Sequence, residues 1–82
     1  TPLQAAQEKV RQGDLEGGLK DYEDVIRASQ ALDDMVSDLR SLSQRAPYNA
    51  TPAVYRLLGD ALMRKGDLQE ALDAYRYALG LL

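Results

Sequence analysis

The 82 residues, 45% of them apolar, are enough for one small domain with a core, and the chain has neither cysteine nor histidine. That composition excludes disulfide staples, zinc sites, thiol nucleophiles and imidazole acid–base chemistry. A net charge of −3 argues against a nucleic-acid surface, which needs clustered Lys and Arg.

Thr1-Pro2-Leu3-Gln4 reads as a helix start: Thr caps, Pro tolerates the first helical position, and Gln4 sits where a capping box places Glu or Gln. The helix is expected to run to about Gln12 and stop at Gly13. Asp14 then caps a second helix, with Leu15, Leu19, Tyr22, Val25 and Ile26 at helical spacing. From Asp14 to Ala46 there is no proline, and no glycine after Gly18. Tyr22, Val25, Leu32, Met35, Leu39 and Leu42 keep one helical phase, which favours a single helix of about 30 residues. A break near Ala28–Gln30, where Ser29 and Gln30 interrupt the apolar stripe, is the alternative.

Ala46-Pro47-Tyr48-Asn49-Ala50-Thr51-Pro52 is the strongest punctuation in the chain. Pro47 disfavours helix at Ala46, and Thr51-Pro52 starts a new helix as Thr1-Pro2 does. That helix should turn Val54, Tyr55, Leu58, Ala61 and Leu62 inward and end at Lys65-Gly66. Asp67 with Glu70 reads as a box-like cap. The last helix, Leu68 to about Leu81, is expected to bury Ala71, Leu72, Tyr75, Ala78 and Leu79. No stretch alternates with period two for long enough to be a strand, so the chain reads as all helix.

Two segments align without gaps, Gln12–Tyr22 and Lys65–Tyr75. Both read Gly-Asp-Leu, then a small residue (Gly18, Ala71), a leucine (Leu19, Leu72) and a tyrosine (Tyr22, Tyr75). Gly closes a tight turn between antiparallel helices, Asp caps the second helix, the small residue admits the facing helix, and Tyr fills the wedge. Helix pairs that cannot bury their faces alone must stack.

In these residues the chain resembles the tetratricopeptide repeat (TPR) family, helix–turn–helix units of about 34 residues. Over residues 52–82, Tyr55 lies at the family's bulky aromatic position, Leu58-Gly59 at its Leu-Gly pair, and Leu62 at its usual Tyr position. Gly66-Asp67 supply the turn, followed by Ala71, Tyr75 and Ala78 at the Ala, aromatic and Ala positions; the unit stops before the family's closing Pro. The first copy is degenerate: Gly13, Asp14, Gly18 and Tyr22 fit, but Ala5-Ala6 replace Leu-Gly, Lys9 replaces an aromatic, and Val25 replaces the later Ala. Gly13 and Gly66 are 53 residues apart, leaving about 19 residues beyond one repeat, enough for one additional helix. Arg45-Ala46-Pro47-Tyr48-Asn49 looks like the family's closing Pro-x-Asn. The resemblance implies one all-α domain over residues 1–82, an antiparallel helix–turn–helix stack of four or five helices with a long or extra middle helix. Within it, residues 1–28 form the degenerate repeat, 29–46 an extra helix or helix extension, 47–51 a linker, and 52–82 the TPR unit.

The resemblance also implies a non-catalytic protein-interaction module or scaffold, whose first helices line a groove for a partner peptide or helix. Mapped onto this chain, the groove positions are Ala53, Arg56, Asp60, Met63 and Arg64, with Gln7, Val10 and Arg11 from the first unit. Arg56, Asp60 and Arg64 fall on one stripe, where two guanidinium groups suit a carboxylate. The same three residues also read as a surface salt-bridge ladder worth a few tenths of a kcal/mol per pair. The chaperone-tail-binding branch of the family uses Lys and Asn at some of these positions; Arg56 and Asp60 stand here instead, so that specificity is not implied.

Leu79, Leu81 and Leu82 end the chain as an apolar face without a polar cap, which points to self-association as a homodimer or to continuation in a longer array. The alternative function is a structural or oligomerisation segment of a larger protein, with no groove of its own. Residues 14–38 carry eight acids against Lys20 and Arg27, while residues 39–82 carry six bases against four acids. This polarity can steer the middle toward the C-terminal part of its own or another chain, though a solvated acidic helix face accounts for it as well. Asp34 and Asp38 share a helix face but lack the six to eight oxygens that a Ca²⁺ site takes. No Walker loop, dinucleotide glycine motif, nucleophile elbow or metalloprotease motif occurs, so no catalytic residue, cofactor or metal is expected. No apolar run approaches the roughly 20 residues of a membrane span and no leader pattern is present. The absence of cysteine suits either side of a bacterial membrane, with the cytoplasm as the default. A start at Thr1 rather than Met suggests an excised or processed fragment.

Overall fold

In the computed structural model, which describes all 82 residues, five helices run in chain order: α1 (Pro2–Arg11), α2 (Leu15–Arg27), α3 (Leu32–Leu42), α4 (Pro52–Lys65) and α5 (Leu68–Gly80), with one 3₁₀ turn at Tyr48–Ala50. Strands are absent. α1 packs on α2 and α4 on α5 as helical hairpins, while α3 lies against α4. α4 is the central element: it touches α5, α3 and α2, and buries Val54, Tyr55, Leu57, Leu58, Gly59, Ala61 and Leu62.

Local chemistry sets the helix ends. The Thr1 hydroxyl accepts from the Gln4 amide at 3.2 Å within a complete capping box, and the Asp14 carboxylate accepts from Gly17 N–H at 2.9 Å. Asp67 makes no such side-chain bond, so the box expected with Glu70 does not form; Glu70 instead pairs with Arg40 of α3 at 2.6 Å. Gly13 and Gly66 take φ of +91° and +90°, the left-handed conformation that ends a helix and costs glycine least. At each, the following amide closes back across the last turn, Asp14 N to Lys9 O at 2.8 Å and Asp67 N to Leu62 O at 2.9 Å.

The single long helix favoured by the middle of the sequence is not formed. The chain breaks at Ser29 and Ala31, with φ of +54° and +49°, and Gln30 N closes onto Val25 O at 3.1 Å, the closure seen at Gly13 and Gly66. A non-glycine residue in this region costs roughly 1–2 kcal/mol. Burial offsets the cost, because the turn delivers Met35, Val36, Leu39 and Leu42 to the core at 0–4% exposure, each worth roughly 1.5–3 kcal/mol. Lys65–Asp33 at 2.9 Å and Arg64 donating to Ser29 Oγ at 3.0 Å fasten the break to the end of α4. Residues 32–42 are thus the extra middle helix that the 53-residue spacing allows.

α5 departs from its expected orientation. Ala71, Ala74 and Ala78 face α4, while Leu72 and Leu79 are 43% and 69% exposed. Gly59 of α4 makes room for a large side chain, since a Cβ there would meet the Tyr75 ring at 2.6 Å. In the first hairpin Gly18 admits the facing helix itself: a Cβ there would meet Val10 Cγ2 at 2.5 Å and Ala6 O at 3.1 Å.

Candidate partner-binding surface

The side of α4 turned away from the core presents Ala53, Arg56, Asp60, Met63 and Arg64, at the intervals of three and four that place residues on one helix face. This face floors a trough made of three adjoining clefts. One, of about 470 Å³, runs between Glu23, Ile26 and Arg27 of α2 and Asp60, Met63 and Arg64 of α4. A second, of about 550 Å³, lies between Glu16, Lys20 and Glu23 of α2 and Ala53 and Arg56 of α4. The third, of about 380 Å³, is largely apolar and lies between Ala53 and Arg56 of α4 and Tyr75, Ala78, Leu79 and Leu82 of α5. A charged wall therefore faces an apolar one across the floor.

The Arg56–Asp60–Arg64 ladder is only half formed. Arg56 reaches Asp60 at 3.7 Å, while Arg64 turns to Ser29. Asp60 also accepts a hydrogen bond from the Tyr75 hydroxyl. Burial, then that bond and the carboxylate's charge, push the Tyr75 hydroxyl up to about 12. On the α2 wall Arg27 is tied to Glu23 at 2.9 Å, whereas Glu16 and Lys20 have no ion-pair partner, so charge is available to a ligand.

Gln7, Val10 and Arg11 do not join this trough. α1 rests on α2 and has no substantial contact with α4. Those three residues line a separate cleft of about 510 Å³ with Tyr22, Asp38 and Arg45, and Val10 is itself 7% exposed. Gln7 donates to the Asp38 carboxylate across 31 residues of chain, which takes Asp38 out of the acidic pair read with Asp34. Burial first, then the neighbouring Asp38 carboxylate, push the Tyr22 hydroxyl up to about 12. Arg45 lies over the Tyr48 ring, 5.9 Å from its centroid. Of the C-terminal leucines, Leu79 and Leu82 are exposed while Leu81 is partly covered.

The helix across the charged part of the trough from α4 is α2, whose Lys20, Glu23 and Arg27 were not among the sequence-derived groove residues. The signal lay in the extra helix: inserting α3 between the hairpins changes which helices become neighbours. Tyr75 was read as core, yet its ring edge also lines the trough.

The family model for the tetratricopeptide repeat matches residues 52–81, and this segment is a tetratricopeptide repeat within an all-α stack. Neither the comparison with curated proteins nor that with solved structures gives a match. Tetratricopeptide repeats are in general non-catalytic protein-interaction modules. No helix of this chain is long and apolar enough to cross a membrane.

Proposed function

We propose that this chain is a protein-interaction domain whose trough over α4 takes an amphipathic partner segment. The apolar stripe of the segment would lie on Tyr75, Ala78 and Leu79, and its acidic side chains would meet Arg56 and Arg64. The observation that carries this reading is the two-sided use of α4: one face fills the core, and the other leaves Arg56, Asp60, Met63 and Arg64 open between a charged and an apolar wall. Such mixed lining suits recognition by apolar anchors with flanking charge. Residues 1–28 are read as a degenerate copy of the repeat, 29–46 as the inserted helix and 47–51 as the linker.

The test is a displayed peptide library panned against the immobilised protein. Selected peptides should carry apolar residues at helical spacing beside acids, and the double substitution R56A/R64A should weaken them about tenfold or more with unchanged helicity. Undiminished binding by the double variant would refute the reading.

A second reading, self-association, is supported by Leu79 and Leu82 at 69% and 89% exposure, large for apolar side chains on a small domain.

A further inference from the structure

Helix α5 has two apolar faces; the first is covered within the chain, while on the second only Tyr75 is, its ring packing on Gly59 and its hydroxyl bonding Asp60. The alanine face packs on α4. The other face carries Leu68, Leu72, Tyr75 and Leu79, at successive intervals of four, three and four residues, and Leu82 follows three residues on, just past the helix end. That is the spacing of a helix–helix seam, in which apolar residues recur on average every 3.5 positions. The four leucines are 60%, 43%, 69% and 89% exposed in chain order, and Tyr75 lies half-buried between them.

The seam is nearly symmetric about Tyr75. Leu72 stands three residues before it and Leu79 four after; Leu68 stands seven before, and Leu82, just past the helix end, seven after. A stripe with this property complements a copy of itself running in the opposite direction, as an interface with two-fold symmetry requires.

The charges beside the seam agree with that direction. Asp73 and Arg76 bracket Tyr75 and lie on one flank, three residues apart. Arg76 has no carboxylate partner in the chain, and Asp73 accepts only a long bond from Gln69 at 3.4 Å. Two α5 helices crossing antiparallel at Tyr75 bring Asp73 of each copy beside Arg76 of the other. A parallel pairing would instead set that flank against the alanine side of the partner helix, which is already buried within its own chain.

We propose that a second copy of this chain covers the leucine face of α5. The two helices run antiparallel about Tyr75, with Leu72 against Leu79 of the other copy and Asp73 paired with Arg76. The proposal rests on the self-association reading above and adds to it the face, the direction and the register.

Sedimentation equilibrium of the 82-residue chain from micromolar to millimolar concentration tests it, with circular dichroism to verify that each variant keeps its helix content. The wild type is expected to approach twice the monomer mass, and Leu79→Glu to stay monomeric. Asp73→Arg alone should weaken the dimer about tenfold, because it turns both symmetry-related pairs repulsive, and D73R/R76D should restore it. Leu79, Asp73 and Arg76 are exposed, so these substitutions leave the core intact. A wild type that remains monomeric throughout would overturn this proposal together with the self-association reading. A dimer that survives Leu79→Glu, ignores Asp73→Arg or is not rescued by the double exchange would overturn the α5 register alone.

Discussion

The two hairpins solve one packing problem in different ways. Residues 53 positions apart correspond, so Tyr22 matches Tyr75, Gly18 matches Ala71, Ala6 matches Gly59 and Gln7 matches Asp60. Each hairpin places one glycine at its helix contact: Gly18, on the second helix of the first pair, lets the facing backbone approach, and Gly59, on the first helix of the second, receives the Tyr75 ring. In the second hairpin the tyrosine hydroxyl finds its carboxylate, Asp60, on the partner helix. The first hairpin has Gln7 at that place, and the carboxylate comes from outside: Asp38 of α3 stands beside Tyr22 and receives the Gln7 amide. The second hairpin thus supplies the carboxylate for its own tyrosine, whereas the first takes one from α3. This agrees with the family match falling on residues 52–81.

Replacing the two tyrosines should break the comparison most visibly. Tyr22 is 2% exposed, so Tyr22→Ala is expected to cost about 3–5 kcal/mol. Tyr75 is half-buried, and Tyr75→Ala should cost roughly 1.5–3 kcal/mol. Urea denaturation followed by circular dichroism measures both, and equal losses would show that the first hairpin does not lean more heavily on its tyrosine.

The turns offer a sharper and smaller contrast. Gly66→Ala should lower stability by about 1–2 kcal/mol, because its φ of +90° is strained for any side chain. Ala31→Gly should raise stability by about 0.5–1 kcal/mol, since it relieves the same kind of strain in the break before α3. The thermal midpoints of the two variants should therefore move in opposite directions.

The smallest effect concerns pH. Both tyrosine hydroxyls are raised from 10.0 to about 12, so the folded chain holds these protons more tightly than the unfolded one. Their contribution to stability is fully present below pH 10 and is lost as pH rises from there toward 12. Tyr22→Phe should flatten the decline in urea midpoint across that interval, and an unchanged slope would show that burial beside Asp38 does not hold the proton.

Much of this architecture was legible from residue types. Gly13 and Gly66 marked turns because glycine is the least costly residue at positive φ, and Tyr55, Leu58, Ala61 and Leu62 announced the buried side of α4 by spacing. The break at Ser29 was obscured because a serine and an alanine adopt a conformation normally left to glycine, and only the burial of Met35, Val36, Leu39 and Leu42 explains why. Hydropathy also put Leu72 and Leu79 inside, whereas α5 buries Ala71, Ala74 and Ala78 and leaves both leucines outward. In the candidate surface, the face of α4 was readable from the repeat pattern. Its α2 wall was not, because a neighbour set by an inserted helix leaves no periodic trace.

That inserted helix has a consequence for how the molecule assembles. The polar links Gln7–Asp38, Arg40–Glu70, Arg64–Ser29 and Lys65–Asp33 join residues 30 to 35 positions apart, and each has one end in α3 or the turn leading into it. The hairpins close between sequence neighbours, while tying α3 to α1 and α5 closes loops of about thirty residues and forfeits more chain entropy. Hairpin formation followed by late arrest of the middle segment is the folding route this wiring favours.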